Sequence, residues 1–265
     1  MPYYDIAGLK VKMINPTGRT KKQAEKYLAE DQSEGQEVDI TINIDEQRVA
    51  EAVAEHPELN SNDWEYMLSS GDFYTYLLLK KGILLHSSCV VVDGFAYAFS
   101  ADSGVGKSTH TSLWMKHFGD RIYMLNDDKP AFRIIDDTVY ACGTPWSGKH
   151  DYSTPAMVPL AGICFIERSE TNWIKKADTR QAIFNTFAQT TRKLGPKGAE
   201  LLVGVIEEIF AKVPIWQMGC NISDEAVTLA YDTMKPKKTI PAEKKTASEN
   251  QNPELSNGEQ QDDKQ

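Results

Sequence analysis

The chain has 265 residues, 41% of them hydrophobic and 25% charged, with a net charge of -9. This composition belongs to a globular fold with ample core, and the acidic surplus argues against a free-standing nucleic-acid binder. No run of about 18 apolar residues occurs, so no membrane span is expected. The start, Met1-Pro2-Tyr3-Tyr4-Asp5, lacks a basic region followed by an apolar stretch, so a cytoplasmic location without a secretory leader is expected. Cys89, Cys142, Cys164 and Cys220 form no CxxC pair and read as buried, reduced thiols.

Taken in chain order, Ile6 to Met13 reads as a strand, and Val38 to Ile44 alternates as a second. Glu46 to Glu55 has helical spacing, closed by Pro57. Phe73 to Leu79 and Gly82 to Leu85 are apolar runs of strand length. Cys89–Val92 and Phe95–Phe99 flank Asp93-Gly94, which predicts a type I′ hairpin. A helix is predicted from Lys107 to His117, ended near Gly119, and a strand over Ile122 to Leu125. Lys129 to Val139 and Ile163 to Ile166 read as further strands. Thr179 to Lys193 and Pro196 to Lys212 read as helices broken apart at Gly195-Pro196. Val213 to Met218 is a strand, and Ser223 caps a final helix through Met234. The expected organisation is a smaller N-terminal lobe over 1–70, a main domain over 71–234, and a disordered polar tail over 235–265.

The informative segment is Ser100-Ala101-Asp102-Ser103-Gly104-Val105-Gly106-Lys107-Ser108-Thr109, set between a predicted strand and a predicted helix. Phosphate oxygens need several donors converging on one point. Gly104 and Gly106 let a tight loop present backbone N–H groups, and the helix start adds unpaired N–H groups and a favourable dipole end. The residues Ser103, Gly104, Val105, Gly106, Lys107, Ser108 and Thr109 therefore read as a P-loop for a Mg-nucleoside triphosphate. Lys107 would reach the β- and γ-phosphates, and the Ser108 hydroxyl would ligate Mg²⁺. One departure stands out: the standard spacing has Gly where this chain has Ala101.

Asn126-Asp127-Asp128 ends the next strand, where a P-loop protein places its metal-binding carboxylate. Two adjacent carboxylates can divide the work, one toward the metal and one toward an attacking hydroxyl. His86 precedes the hairpin and could approach Asp127, tuning the base or steadying a phosphoryl group; it is equally a hydrogen-bonded residue at a strand edge. Asp102 reads as a loop residue, and His110 and His117 as helix-surface residues. Gly143-Thr144-Pro145-Trp146-Ser147-Gly148-Lys149 is a second small-residue loop that either faces the site or is a plain turn anchored by Trp146.

The hairpin leading into the P-loop, the preceding Leu85-His86 and the Asp127-Asp128 pair resemble the C-terminal domain of HPr kinase/phosphorylase, most of all the small HPr-kinase-like peptide and serine kinases. The resemblance implies an α/β fold, a P-loop mixed sheet with flanking helices of the kind shared with phosphoenolpyruvate carboxykinases. It implies ATP and Mg as cofactors and a peptide or small-molecule hydroxyl as acceptor. Asp127 would be the general base, His86 its partner, Lys107 the phosphate ligand, and Ser108 with Asp128 the metal ligands. The Gly-rich signature of the bifunctional enzymes has no counterpart here, which argues against phosphorylase activity. An ATP-dependent kinase acting on a serine-type hydroxyl is therefore expected. The rivals are a nucleotide-binding regulatory module without turnover, a carboxykinase-type lyase and a hydrolysing NTPase switch. The N-terminal strands are a further candidate for recognising a peptide by strand addition.

Overall fold

The computed structural model describes residues 2–190 and 194–237. The described residues up to Lys235 form one compact unit. The expected polar tail lies outside the described residues from 238 onward.

The chain opens with β1 (Tyr3–Ile6) and β2 (Leu9–Ile14), an antiparallel hairpin. The single strand expected over residues 6–13 is broken because Ala7 and Gly8 both take positive φ, 54° and 68°. A short helix, α1 (Gly18–Ala24), leads to β3 (Ile40–Asn43), which pairs parallel with β2 and completes a three-stranded sheet. Helix α2 (Glu46–Glu55) starts where the Asp45 side chain accepts from the Gln47 N–H.

Helix α3 (Ser61–Leu78) replaces the strand expected at 73–79. Phe73, Tyr74, Leu77 and Leu78 lie one, four and five positions apart and are all buried, so the apolar run is one face of a helix. The expected boundary at residue 70 falls inside α3. Tyr4, Val11 and Ile42 of the small sheet share a core with Phe73, Tyr74 and Leu77 of α3, with Ala131 and with Trp146. The N-terminal segment therefore has no core of its own. Each such large side chain contributes about 1.5–3 kcal/mol when fully buried.

The large sheet holds β4 (Gly82–Leu84), β5 (Ser87–Val92), β6 (Phe95–Ser100), β7 (Ile122–Asn126), β8 (Ala131–Ile135), β9 (Thr138–Cys142), β10 (Met157–Arg168), β11 (Trp173–Lys176) and β12 (Ile215–Cys220). Its order is β4-β8-β9-β10-β6-β5-β7, with β12 joining β10 to β11. The Asp93-Gly94 hairpin forms between β5 and β6, both turn residues at positive φ (52° and 81°). The run expected as one strand over 129–139 is instead a hairpin turned at Asp136 and Asp137, φ 45° and 67°. Strand β10 is far longer than the four residues expected. Its first residues pair antiparallel with β9, and its later ones pair parallel with β6 and β12.

Helices α4 (Lys107–Phe118), α5 (Thr179–Ala188), α6 (Pro196–Lys212) and α7 (Asp224–Met234) complete the fold. Ser223 caps α7 as expected, its side chain accepting from Ala226 N–H. Leu202, Val205, Ile206 and Ile209 of α6 share one core with β4, β8 and β10, whereas Trp114 and Phe118 of α4 share another with Ala226, Val227 and Ala230 of α7. The result is a mixed α/β architecture, a large mixed sheet with flanking helices. All four cysteines are free; three are buried and Cys220 is half-buried. No helix among the described residues is long and apolar enough to cross a membrane.

Candidate functional site

Strand β6 runs directly into the glycine loop, and α4 opens at Lys107. Gly104 and Gly106 have φ of 79° and 126°, conformations that side chains with a Cβ rarely adopt. Ala101 stays outside the left-handed region, so its Cβ is tolerated where a glycine is usual. The Lys107 ammonium curls back to the loop and donates to the carbonyls of Ala101 at 2.9 Å and Asp102 at 3.4 Å. Burial lowers its pKa below the ordinary lysine value, opposed by the nearby Asp128, Asp102 and Asp127 carboxylates. From the end of β10, Arg168 donates to the carbonyls of Gly104 at 2.5 Å and Val105 at 3.2 Å.

The acid pair is set by Asn126, which is fully buried at the end of β7. Its Oδ1 accepts from the N–H groups of Asp128 at 2.9 Å and Lys129 at 2.7 Å, and its Nδ2 donates to the Thr144 carbonyl at 3.0 Å. This side-chain turn points two successive carboxylates away from the strand. The Asp127 carboxylate accepts from the Ser88 hydroxyl, which also meets Thr111 of α4 at 2.7 Å. The Asp128 carboxylate meets His86 Nε2 at 3.0 Å. His86 thus pairs with Asp128 and not with the expected Asp127, whose carboxylate takes the Ser88 hydroxyl.

On its other side, His86 Nδ1 lies 3.2 Å from Gln189 Oε1, and Gln189 Nε2 donates to Asp102 at 2.8 Å. That amide orientation turns an oxygen toward the imidazole, so both ring nitrogens face acceptors. Gln189 thus ties His86 to the glycine loop.

The second loop faces the same space. Trp146 is fully buried and donates to Ser69 at 3.0 Å, anchoring the turn. Gly148 has φ 77°, and a Cβ there would sit 3.3 Å from Asp128 Cβ. Its N–H donates to the Tyr66 hydroxyl at 2.9 Å, and its carbonyl accepts from Gln23 at 2.8 Å. Helices α1 and α3 therefore hold this loop against the acid pair.

A cavity of about 660 Å³ gathers these parts. Ser103, Gly104, Gly106, Lys107, Ser108 and Thr109 form one wall. His86, Asp127 and Asp128 also border it, and Ser147 to His150 with Arg19, Tyr66 and Met67 close the rest. Of the residues expected at the site, Val105 alone turns elsewhere, lining a neighbouring cavity. His110 is not on the helix surface as expected. It is 3% exposed, packed edge-on against Phe99, because α4 lays this face on the sheet.

Sequence reasoning missed Ser88, Gln189, Arg168, Gln23 and Tyr66. Ser88 lies two residues beyond His86, and the other four reach the site from elements distant in the chain, where no local pattern marks them. Among the described residues, no three His, Cys, Asp or Glu side chains gather as a metal cluster.

These features define a mixed α/β protein in which a glycine loop, a lysine and an acid pair face one cavity. No family model matches the chain, and no curated protein matches it. Among solved structures it is similar to the Hpr(Ser) kinase/phosphatase from Coxiella burnetii, with 8% identity and a TM-score of 0.34. The similarity covers 57% of this chain and 95% of that one.

Proposed function

We propose that the protein is an ATP-dependent kinase that transfers the γ-phosphoryl group to a serine-type hydroxyl of a peptide, protein or small molecule. The observation that carries this reading is the shared cavity: the glycine loop opening α4 and the Asp127–Asp128 pair, backed by His86, line one space. The loop N–H groups, the start of α4 and Lys107 would take the triphosphate. Mg²⁺ bound with the triphosphate would stabilise charge on the phosphoryl oxygens. It fits the donors available, a hydroxyl at Ser108 and a carboxylate of the pair, because this ion takes few protein oxygens alongside phosphate.

The hydrogen-bond partners favour one division of labour within the pair. Asp127, tied through Ser88 to Thr111 of α4, would serve the metal side. Asp128 lies against Gly148 and His86, so it would accept the proton of the acceptor hydroxyl. This exchanges the two roles assigned from sequence. With Nε2 on Asp128 and Nδ1 against Gln189, the imidazole of His86 would orient Asp128. Most of the rate would come from positioning and electrostatics.

The test is γ-labelled ATP with Mg²⁺ and a panel of peptides and free serine, comparing wild type with Lys107→Ala. Label on a hydroxyl with wild type, and none with Lys107→Ala, is the expected result. Tight ATP binding without transfer to any acceptor would instead favour a regulatory nucleotide-binding module.

A further inference from the structure

A second cavity, of about 500 Å³, lies along the same glycine loop and shares Gly104, Gly106 and Thr109 with the first. Its walls come from the ends of the parallel strands β10 and β12 and from α4. Leu113, Ile166 and Ile222 supply apolar surface, and Ile222 is 77% exposed. Arg168 and Asn221 add polar groups.

His110 also lines this cavity and is buried. Trp114 Nε1, which can only donate, lies 3.1 Å from His110 Nε2. Nε2 is therefore the acceptor nitrogen, and the ring hydrogen sits on Nδ1. Nδ1 has no hydrogen-bond partner among the described residues. Nδ1 itself has no accessible surface, so an acceptor in this half-apolar cavity reaches it when the imidazole turns outward.

A triphosphate laid on the glycine loop must leave its nucleoside on one flank. The flank with Asp127 and Asp128 is where an acceptor hydroxyl has to enter. We infer that the nucleobase occupies the second cavity, between Leu113, Ile166 and Ile222, and that the His110 ring turns to bring its Nδ1–H onto a ring nitrogen or carbonyl of the base. The location follows a general rule for α/β sheets, in which ligands bind beyond the carboxyl ends of parallel strands. This inference rests on the phosphate-binding reading of the loop.

The experiment compares ATP with inorganic tripolyphosphate, both with Mg²⁺, by calorimetry. Three proteins are used: wild type, His110→Gln and Ile222→Ser. Glutamine keeps an acceptor near the Nε2 position for Trp114 and removes the Nδ1 donor. Ile222 is exposed, so its substitution leaves the fold intact. His110→Gln should weaken ATP about tenfold and Ile222→Ser about threefold, with tripolyphosphate affinity unchanged in both. Unchanged ATP affinity in both variants would overturn the base site and leave the phosphate reading standing. An equal loss for ATP and tripolyphosphate would also overturn it, since His110 would then act through the loop. If wild type binds neither ligand, the phosphate reading fails and the base site with it.

Discussion

The sharpest structural prediction concerns Tyr66→Phe. Tyr66 is 4% exposed, and its hydroxyl accepts the Gly148 N–H at 2.9 Å. Burial raises the phenol above its ordinary pKa, so it stays neutral at any working pH. Removing this oxygen changes no packing volume to speak of and leaves a backbone N–H without its partner. Gly148 is half-buried and borders the cavity, so water partly replaces the bond; the loss costs about 0.5–1.5 kcal/mol, which for a chain of this size lowers Tm by about 1–6 °C. The effect on activity should be selective. Gly148 packs against Asp128 and borders the cavity where the proposed acceptor would enter, and the Tyr66 hydroxyl bonds to Gly148. The acceptor KM should therefore rise about tenfold while the Kd for ATP stays within about twofold. Thermal melts, steady-state kinetics and ATP calorimetry on the same preparation decide the matter. An unchanged Tm would refute the hydrogen-bond argument. ATP affinity falling in step with that for the acceptor would refute the division of the cavity into two sides.

Three further outcomes are expected. Asp128→Asn should lower kcat about 10²–10⁴-fold with ATP still bound, whereas Asp127→Asn should mainly raise the Mg²⁺ concentration needed for half-maximal rate; the reverse pattern would restore the assignment made from sequence. Gly106→Ala forces a Cβ into φ 126° and should weaken ATP binding at least tenfold by calorimetry, with no clash elsewhere because the space around it is open. Burial pushes His110 down from 6.5 to about 4, so the unfolded chain takes up this proton first. Stability should then fall by about 3 kcal/mol as pH drops from about 6.5 to 4 and stay flat above that window. Urea midpoints for wild type and His110→Gln across this range should diverge, and parallel curves would contradict the burial argument.

The glycine loop and α4 were legible because each depends on local chemistry, glycines that permit left-handed backbone; Asn126-Asp127-Asp128 was legible as a strand end, and the Asn126 side-chain bonds came only with the structure. Helix α6 and the cap at Ser223 were legible for the same reason. What failed was decided by distant packing. Phe73 to Leu79 has the composition of a strand, and only its contacts with the small sheet and Trp146 make it one face of a helix. Asp136 and Asp137 turn a hairpin without glycine, which a short polar side chain tolerates but seldom advertises. Strand β10 runs well beyond the expected Ile163–Ile166 and takes in Pro159 and Gly162, residue types seldom found inside strands. Pro159 nevertheless lies opposite Tyr140 in the antiparallel ladder, and the register shifts between Leu160 and Gly162. The partner of His86 lay beyond sequence altogether, since it depends on how the Asn126 turn directs two adjacent carboxylates.

Arg168 stands at the last position of β10, with two carbonyls of the glycine loop in its grasp. A peptide plane is rigid, so fixing the direction of one carbonyl sends the next residue's N–H the opposite way. By holding the oxygens of Gly104 and Val105, the guanidinium dictates where the amides of Val105 and Gly106 point. The ordering of this loop is therefore settled when the sheet folds, and an incoming anion meets donors that have less freedom left to lose.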